Sequence, residues 1–197
     1  HEIEAVRTLA ERQGSWLHLG RLSGHYRTRA RLTGDYDDYA KAEAALDTAF
    51  ANAPDGSGPL MERAALNFTL HRLDAVEPDL EAVSRRVLLD DPTRAAILLL
   101  QARVHIQRGQ YADGRALLKQ VDGIRHTPQS HAAAAHLAWQ TGDPAEAEKR
   151  MDQAEALFHG KAGEPRAWFH LMRGLADLDA ERYDDARAHY LDADAQL

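Results

Sequence analysis

One spacing recurs through this chain. A turn residue is followed two places on by an aromatic residue or proline, then by a small residue, and then by apolar residues four and three places further. It reads Gly109-x-Tyr111-x-x-Gly114-x-x-x-Leu118-x-x-Val121, then Gly142-x-Pro144-x-x-Ala147-x-x-x-Met151-x-x-Ala154, then Glu181-x-Tyr183-x-x-Ala186-x-x-x-Tyr190-x-x-Ala193. Seven places before each turn stands another small residue: Ala102, Ala135 and Gly174. Steps of three and four are the helix period, so the pattern writes helix, turn and helix in a fixed register. Alanine or glycine lets two helix backbones approach closely, while Leu, Met or Tyr one turn on fills the gap beside them. A single unit of this kind cannot bury its apolar face, but a stack of them can.

The pattern resembles the tetratricopeptide repeat, a helix-turn-helix unit of ~34 residues with a proline near its end. Units beginning near Ala95 and Pro128 match it closely, and a more degenerate one covers 61–94. There Phe68 replaces the first small residue, Ala75 takes the turn position, and Leu80, Ser84, Val87 and Pro92 follow in step. An earlier unit holds LTGDYDDYAKAEAALDTAF, with Ala42, Leu46 and Ala49 as its contact stripe. The resemblance implies an all-α fold: a right-handed α-solenoid of antiparallel helix pairs, with about five repeats and eleven helices. The expected layout is a single domain over 1–197. It has an N-terminal helix at 3–13 and repeats at about 20–58, 61–94, 95–127, 128–163 and 167–197.

Local signals agree with this layout. Asp143-Pro144-Ala145-Glu146 supplies an N-cap, a proline at the first helical position and a glutamate at the third. Asp35 and the pair Asp184-Asp185 put negative charge where helices should start. Ala53 to Pro59 and His159 to Pro165, rich in Gly and Pro, read as longer loops. The copy after Gly34 carries extra residues before Ala42, in the region of Asp37-Asp38, which predicts either a longer turn there than at Gly142 or a helix that begins half a turn early.

Other chemistry finds little support. The net charge is −7, from 31 acidic against 24 basic residues, which argues against nucleic acid as a partner. No apolar run approaches the ~20 residues of a membrane span. The absence of cysteine excludes disulfides and thiolate catalysis, and leaves cytoplasm and periplasm equally open. The chain starts at His1 with neither Met nor a leader, which fits a removed signal sequence or a start within a longer protein.

Of the eleven histidines, His126, His131 and His136 are the densest group. Residues five apart on a helix are rotated by ~140°, so these cannot share one ion. His18 and His25 share a face but stand ~10.5 Å apart. His71 and His105 fall at one repeat position and read as packing residues. Asp35-Tyr36-Asp37-Asp38 lacks the glycine and glutamate of a calcium loop and reads as helix capping. With no phosphate loop, dinucleotide fingerprint, zinc-protease motif or nucleophile elbow, the expectation is no catalysis, no metal and no cofactor.

The resemblance implies instead a concave groove lined by the first helix of each repeat. In register, its positions hold Thr69 and Arg72, then Leu99, Arg103 and Ile106, then His136 and Trp139, then Trp168, Leu171 and Leu175. Arg72, Arg103 and His136 would attract carboxylates, and Trp139 and Trp168 would give flat apolar anchors. The alternative is that the tryptophans pack between helices and the arginines are solvated. The Lys/Asn carboxylate clamp of the chaperone-binding subgroup is not reproduced, since its positions hold residues such as Thr69, Arg103 and Leu100. The expected function is a protein-interaction scaffold for an acidic and apolar peptide or helical segment. The alternatives are self-association as a homodimer through an open C-terminal repeat, or a regulatory or substrate-recruiting part of a larger enzyme or of a secretion or signalling system.

Overall fold

A computed structural model describes residues 2–85, 88–159 and 163–196. Among these, the chain forms eleven α-helices, one short 3-10 turn and no strand. It divides into two compact units, 1–104 and 105–197, and the division falls within one helix.

The first unit contains α1 (Glu2–Gln13), α2 (Trp16–Thr33), α3 (Asp37–Asn52), α4 (Leu60–Thr69), a 3-10 turn (Leu73–Ala75), α5 (Glu77–Ser84) and most of α6 (Asp91–Gln107). Helix α2 packs on α3, and α4 on α5. Ala42 and Ala49 are fully buried with Leu46 between them, so the small-residue stripe is the face α3 turns to its partner. A second core gathers Leu60, Ala64, Phe68, Val76, Leu80, Val83, Ile97, Leu100 and Val104 from α4, α5, α6 and the residue just before α5. Val87 lies outside the described residues.

Each pair in this unit is tied by a buried aspartate. Arg29 on α2 grips Asp38 on α3 with both Nε and Nη2, at 2.5 and 2.7 Å, and Lys41 adds a bond of 2.8 Å. The hydrogen bonds from Arg29, with those of Lys41, hold the Asp38 carboxyl well below the usual carboxylate range. Arg63 on α4 grips Asp79 on α5 in the same forked way, at 2.9 and 2.6 Å. Asp38 therefore bridges two helices, beyond the capping read from its acidic run. Asp35, just before the helix, accepts the Asp37 N–H at 3.1 Å, while the N-cap position itself is Tyr36, which has no side-chain capping bond.

The second unit holds α7 (Tyr111–Ile124), α8 (Pro128–Gln140), α9 (Pro144–Ala156), α10 (Gly163–Asp179) and α11 (Tyr183–Asp194), with α8 packed on α9 and α10 on α11. Asp143 caps α9 by accepting the Glu146 N–H, and Thr127 and Ser130 form a reciprocal capping box on α8. At the α10–α11 crossing, a Cβ on Gly174 would stand 2.6 Å from the Tyr190 ring. That approach is why a glycine occupies the small position.

Four of the turns are built alike. His71, Gly109, Gly142 and Glu181 take left-handed backbone, with φ of 56°, 74°, 77° and 59°. In each, the next N–H donates to the carbonyl five residues back: Arg72 to Asn67, Gln110 to His105, Asp143 to Ala138 and Arg182 to Asp177. This closes the helix end by the paired bonds of a Schellman motif. The turn after α2 differs. Gly34 is also left-handed, but its N–H reaches Ala30, four residues back, and α3 begins only at Asp37. The two turns are therefore not superimposable: α3 starts three residues after its glycine against two for α9, and it begins about half a turn earlier relative to Ala42 than α9 does relative to Ala147.

The second copy corrects the sequence reading. Its turn falls at His71, a full helical turn before Ala75, and Ala75 ends the 3-10 segment instead. Pro78, in the first turn of α5, holds that helix start in place. With α4 only ten residues long, the intervening chain is taken up as a 3-10 turn. His71 is consequently an exposed turn residue, where packing had been expected.

Candidate interaction surfaces

In the first unit the arginines fall into two kinds. Arg29 and Arg63 are committed to Asp38 and Asp79, and Arg63 also lies over the Phe50 ring at 3.9 Å. Arg27, Arg31 and Arg103 form a different group. Arg27 and Arg31 are one turn apart on α2 and share a face. Arg103, on α6, places its guanidinium 4.3 Å from the centre of the Phe68 ring of α4, a cation–π distance.

These three cations feel one another. Surrounding protein takes water away from the Arg103 guanidinium, and the positive charges of Arg27 and Arg31 add to that, lowering its pKa to about 10. The Arg103 side chain nevertheless keeps an exposed surface. Arg27 is lowered for the same reasons, burial first and then Arg31, with Glu62 and Tyr39 opposing. Neither Arg27 nor Arg103 forms an ion pair with a carboxylate among the described residues. Together the three make a local positive field in a chain of net charge −7.

The remaining sequence candidates are placed as follows. Arg72 lies beyond the end of α4 and pairs with Glu43 of α3, which removes it from the helix position assigned to it. Thr69 bonds back to the Ala65 carbonyl at 2.8 Å. In the second unit His136 is exposed and Trp139 half-buried on α8. Trp168 is half-buried on α10, packed on the core of Ala132, Ala135, Met151, Ala154 and Phe169, with its ring edge-on to Phe169 at 5.4 Å. Leu171, Leu175 and Leu178 follow on α10 at helical spacing and are exposed at 42%, 40% and 44%.

Arg27 and Arg31 were absent from the sequence reading. Their signal was the spacing Arg27-x-Arg29-x-Arg31 on the first long helix, where alternate arginines point apart. What could not be read was that Asp38 takes the middle one. The histidines also divide. His131 is buried, stacked on His126 at 5.4 Å, and its pKa is lowered by burial first. Among the described residues, one group brings three metal-competent side chains together: His170, His189 and Asp192.

No helix among the described residues is long and apolar enough to cross a membrane. No protein-family profile matches the sequence, and no curated protein matches it. A solved structure does: that of a tetratricopeptide repeat protein from Parabacteroides merdae ATCC 43184, with a TM-score of 0.62 at 16% identity over 98% of this chain and 85% of that one. At that identity the likeness is one of fold, and it agrees with the paired helices and their repeated turns: the chain has the all-α fold of a tetratricopeptide repeat protein.

Proposed function

We propose that the chain is a non-catalytic scaffold for protein–protein interaction, and that its first unit holds an acidic segment of a partner at Arg27, Arg31 and Arg103. The observation that carries this reading is the arginine group itself. The positive charges of Arg27 and Arg31 both act on Arg103, and neither Arg27 nor Arg103 forms an ion pair among the described residues. Poorly hydrated cations gain most from a carboxylate that arrives with its own forked geometry. Phe68 holds the Arg103 plane in place, so less side-chain freedom is lost on binding. In the second unit, Trp139 with the leucine stripe of α10 would offer an apolar contact for the same class of segment, and Trp168 would support that stripe from the core. His136 would add a hydrogen bond there.

The test is fluorescence anisotropy with a labelled Glu/Leu-rich peptide and a Lys/Leu-rich peptide of equal length. The acidic peptide should bind, its affinity should fall with salt, and the Arg27→Glu/Arg103→Glu variant should weaken it about tenfold or more. Unaltered binding by that variant, or equal binding of the basic peptide, would refute the reading. A second reading, self-association, is favoured by the exposed stripe Leu171, Leu175 and Leu178. A strictly monomeric mass in light scattering at high concentration removes it.

A further inference from the structure

The pair α10–α11 contains polar atoms that the fold leaves unsatisfied. His170 stands on α10; His189 and Asp192, three residues apart, share a face of α11. One ligand atom from each of the three lies within 4.8 Å of the other two. The imidazole centroids are 5.9 Å apart, and His170 Nδ1 is 4.0 Å from Asp192 Oδ2. Nδ1 of His170 and Nδ1 of His189 are both buried and have no hydrogen-bond partner. Buried polar atoms are nearly always partnered, so two such nitrogens on neighbouring rings, beside one carboxylate, mark a place for an occupant.

The surroundings say what kind. On the far side of its ring, His189 turns Nε2 to Asp177 Oδ2 at 3.6 Å. Asp177 is only 7% exposed and is itself held by Arg182, whose Nε donates at 2.9 Å. A carboxylate facing Nε2 favours the proton there and leaves the lone pair on Nδ1, which is the tautomer a metal ligand needs. This carboxylate–histidine arrangement is the usual support behind a ligating imidazole. A proton-sharing contact between the two histidines would need no third group, whereas Asp192 brings the negative charge that a cation requires.

We propose that His170, His189 and Asp192 bind one borderline divalent cation of the Zn²⁺ class, clamping α11 to α10. Two imidazole nitrogens and one carboxylate oxygen are the donor types that such ions take, with the fourth position left to water. Bonds of ~2.0–2.1 Å put tetrahedral ligand atoms about 3.3 Å apart. The present spacing closes to that by side-chain rotation, since Asp192 is on the exposed edge of its helix. Because the three ligands join two helices, binding would stabilise the fold in proportion to metal occupancy.

The test uses the full chain stripped with EDTA and titrated with zinc sulfate by calorimetry. Co²⁺ in place of zinc gives a visible absorption spectrum that reports the donor set. The expected result is one Zn²⁺ per chain and a metal-dependent rise in Tm. Affinity should fall about tenfold or more in His170→Gln, His189→Gln and Asp192→Asn, but stay unchanged in His126→Gln/His131→Gln. Asp192 is an exposed surface residue, so its asparagine variant keeps the test valid if a histidine variant fails to fold. No binding at millimolar zinc, or stoichiometric binding that survives Asp192→Asn with an unaltered Co²⁺ spectrum, would overturn the proposal.

Discussion

Helices α4 and α5 in the first unit and α8 and α9 in the second perform the same task with opposite materials. With the turn at His71, the residue seven places before it is Ala64, fully buried, so this copy keeps its small residue and Phe68 does not replace it. The rest of the α4–α5 core is large, with Phe68, Val76, Leu80 and Val83 around that alanine. The α8–α9 pair meets on alanines, with Ala132, Ala135 and Ala154 against Met151. Alanine packing brings backbones close, so α8 can run thirteen residues beside α9. Bulkier packing accompanies a shorter α4, a 3-10 turn and a non-glycine residue in left-handed backbone. One helix-pair plan therefore tolerates two ways of filling its interior, at the cost of regularity in the bulky one. The bulky pair also serves the arginine surface directly, since Phe68 is the ring on which Arg103 rests.

The two pairs should fail in opposite ways. Leu80→Ala, at a residue with 0% exposure, should leave a cavity and lower the unfolding free energy by ~2–5 kcal/mol in urea titration. The mirror-image change, Ala154→Leu, adds volume where alanine is fully buried and should cost about 1–3 kcal/mol through overpacking. If Ala154→Leu were neutral, the α8–α9 contact would not be as close as the alanines imply. The turns sharpen the contrast further. A Cβ on Gly142 would meet nothing within 4 Å, so Gly142→Ala should cost only the left-handed backbone penalty, about 1 kcal/mol. His71→Gly should act with the opposite sign. It should stabilise by a few tenths of a kcal/mol, as relief of the positive φ slightly outweighs the added freedom of the unfolded chain. Equal signs in thermal unfolding would contradict the matched geometry of the two turns.

Much of the fold was legible because its signals are local. The recurrence of turn residue, small residue and large apolar residue marked the helix pairs. Ala42, Leu46 and Ala49 proved to be the buried stripe of α3, and the difference between the turn at Gly34 and that at Gly142 followed from a count of residues. The failure at Ala75 arose where the copy had drifted. Without a glycine, no residue in 70–77 announced left-handed backbone, and strict register placed the turn four residues late.

The interaction surface was legible only in part. Arg103 could be placed on the right helix, but its stacking on Phe68 reaches across one intervening helix and its nearness to Arg27 and Arg31 across three. Arg72 was lost with the shifted turn. The meeting of His170 with His189 and Asp192 was invisible for a similar reason: nineteen residues and a turn separate the two histidines, so no helical period relates them. By itself the sequence determined which segments are helical, where they turn and which stripe each buries, because these depend on neighbours three or four residues away. Only tertiary structure decided which cations are neutralised, which remain poorly hydrated, and which imidazoles face one carboxylate. Those depend on side chains brought together by packing, at distances that no spacing along the chain encodes.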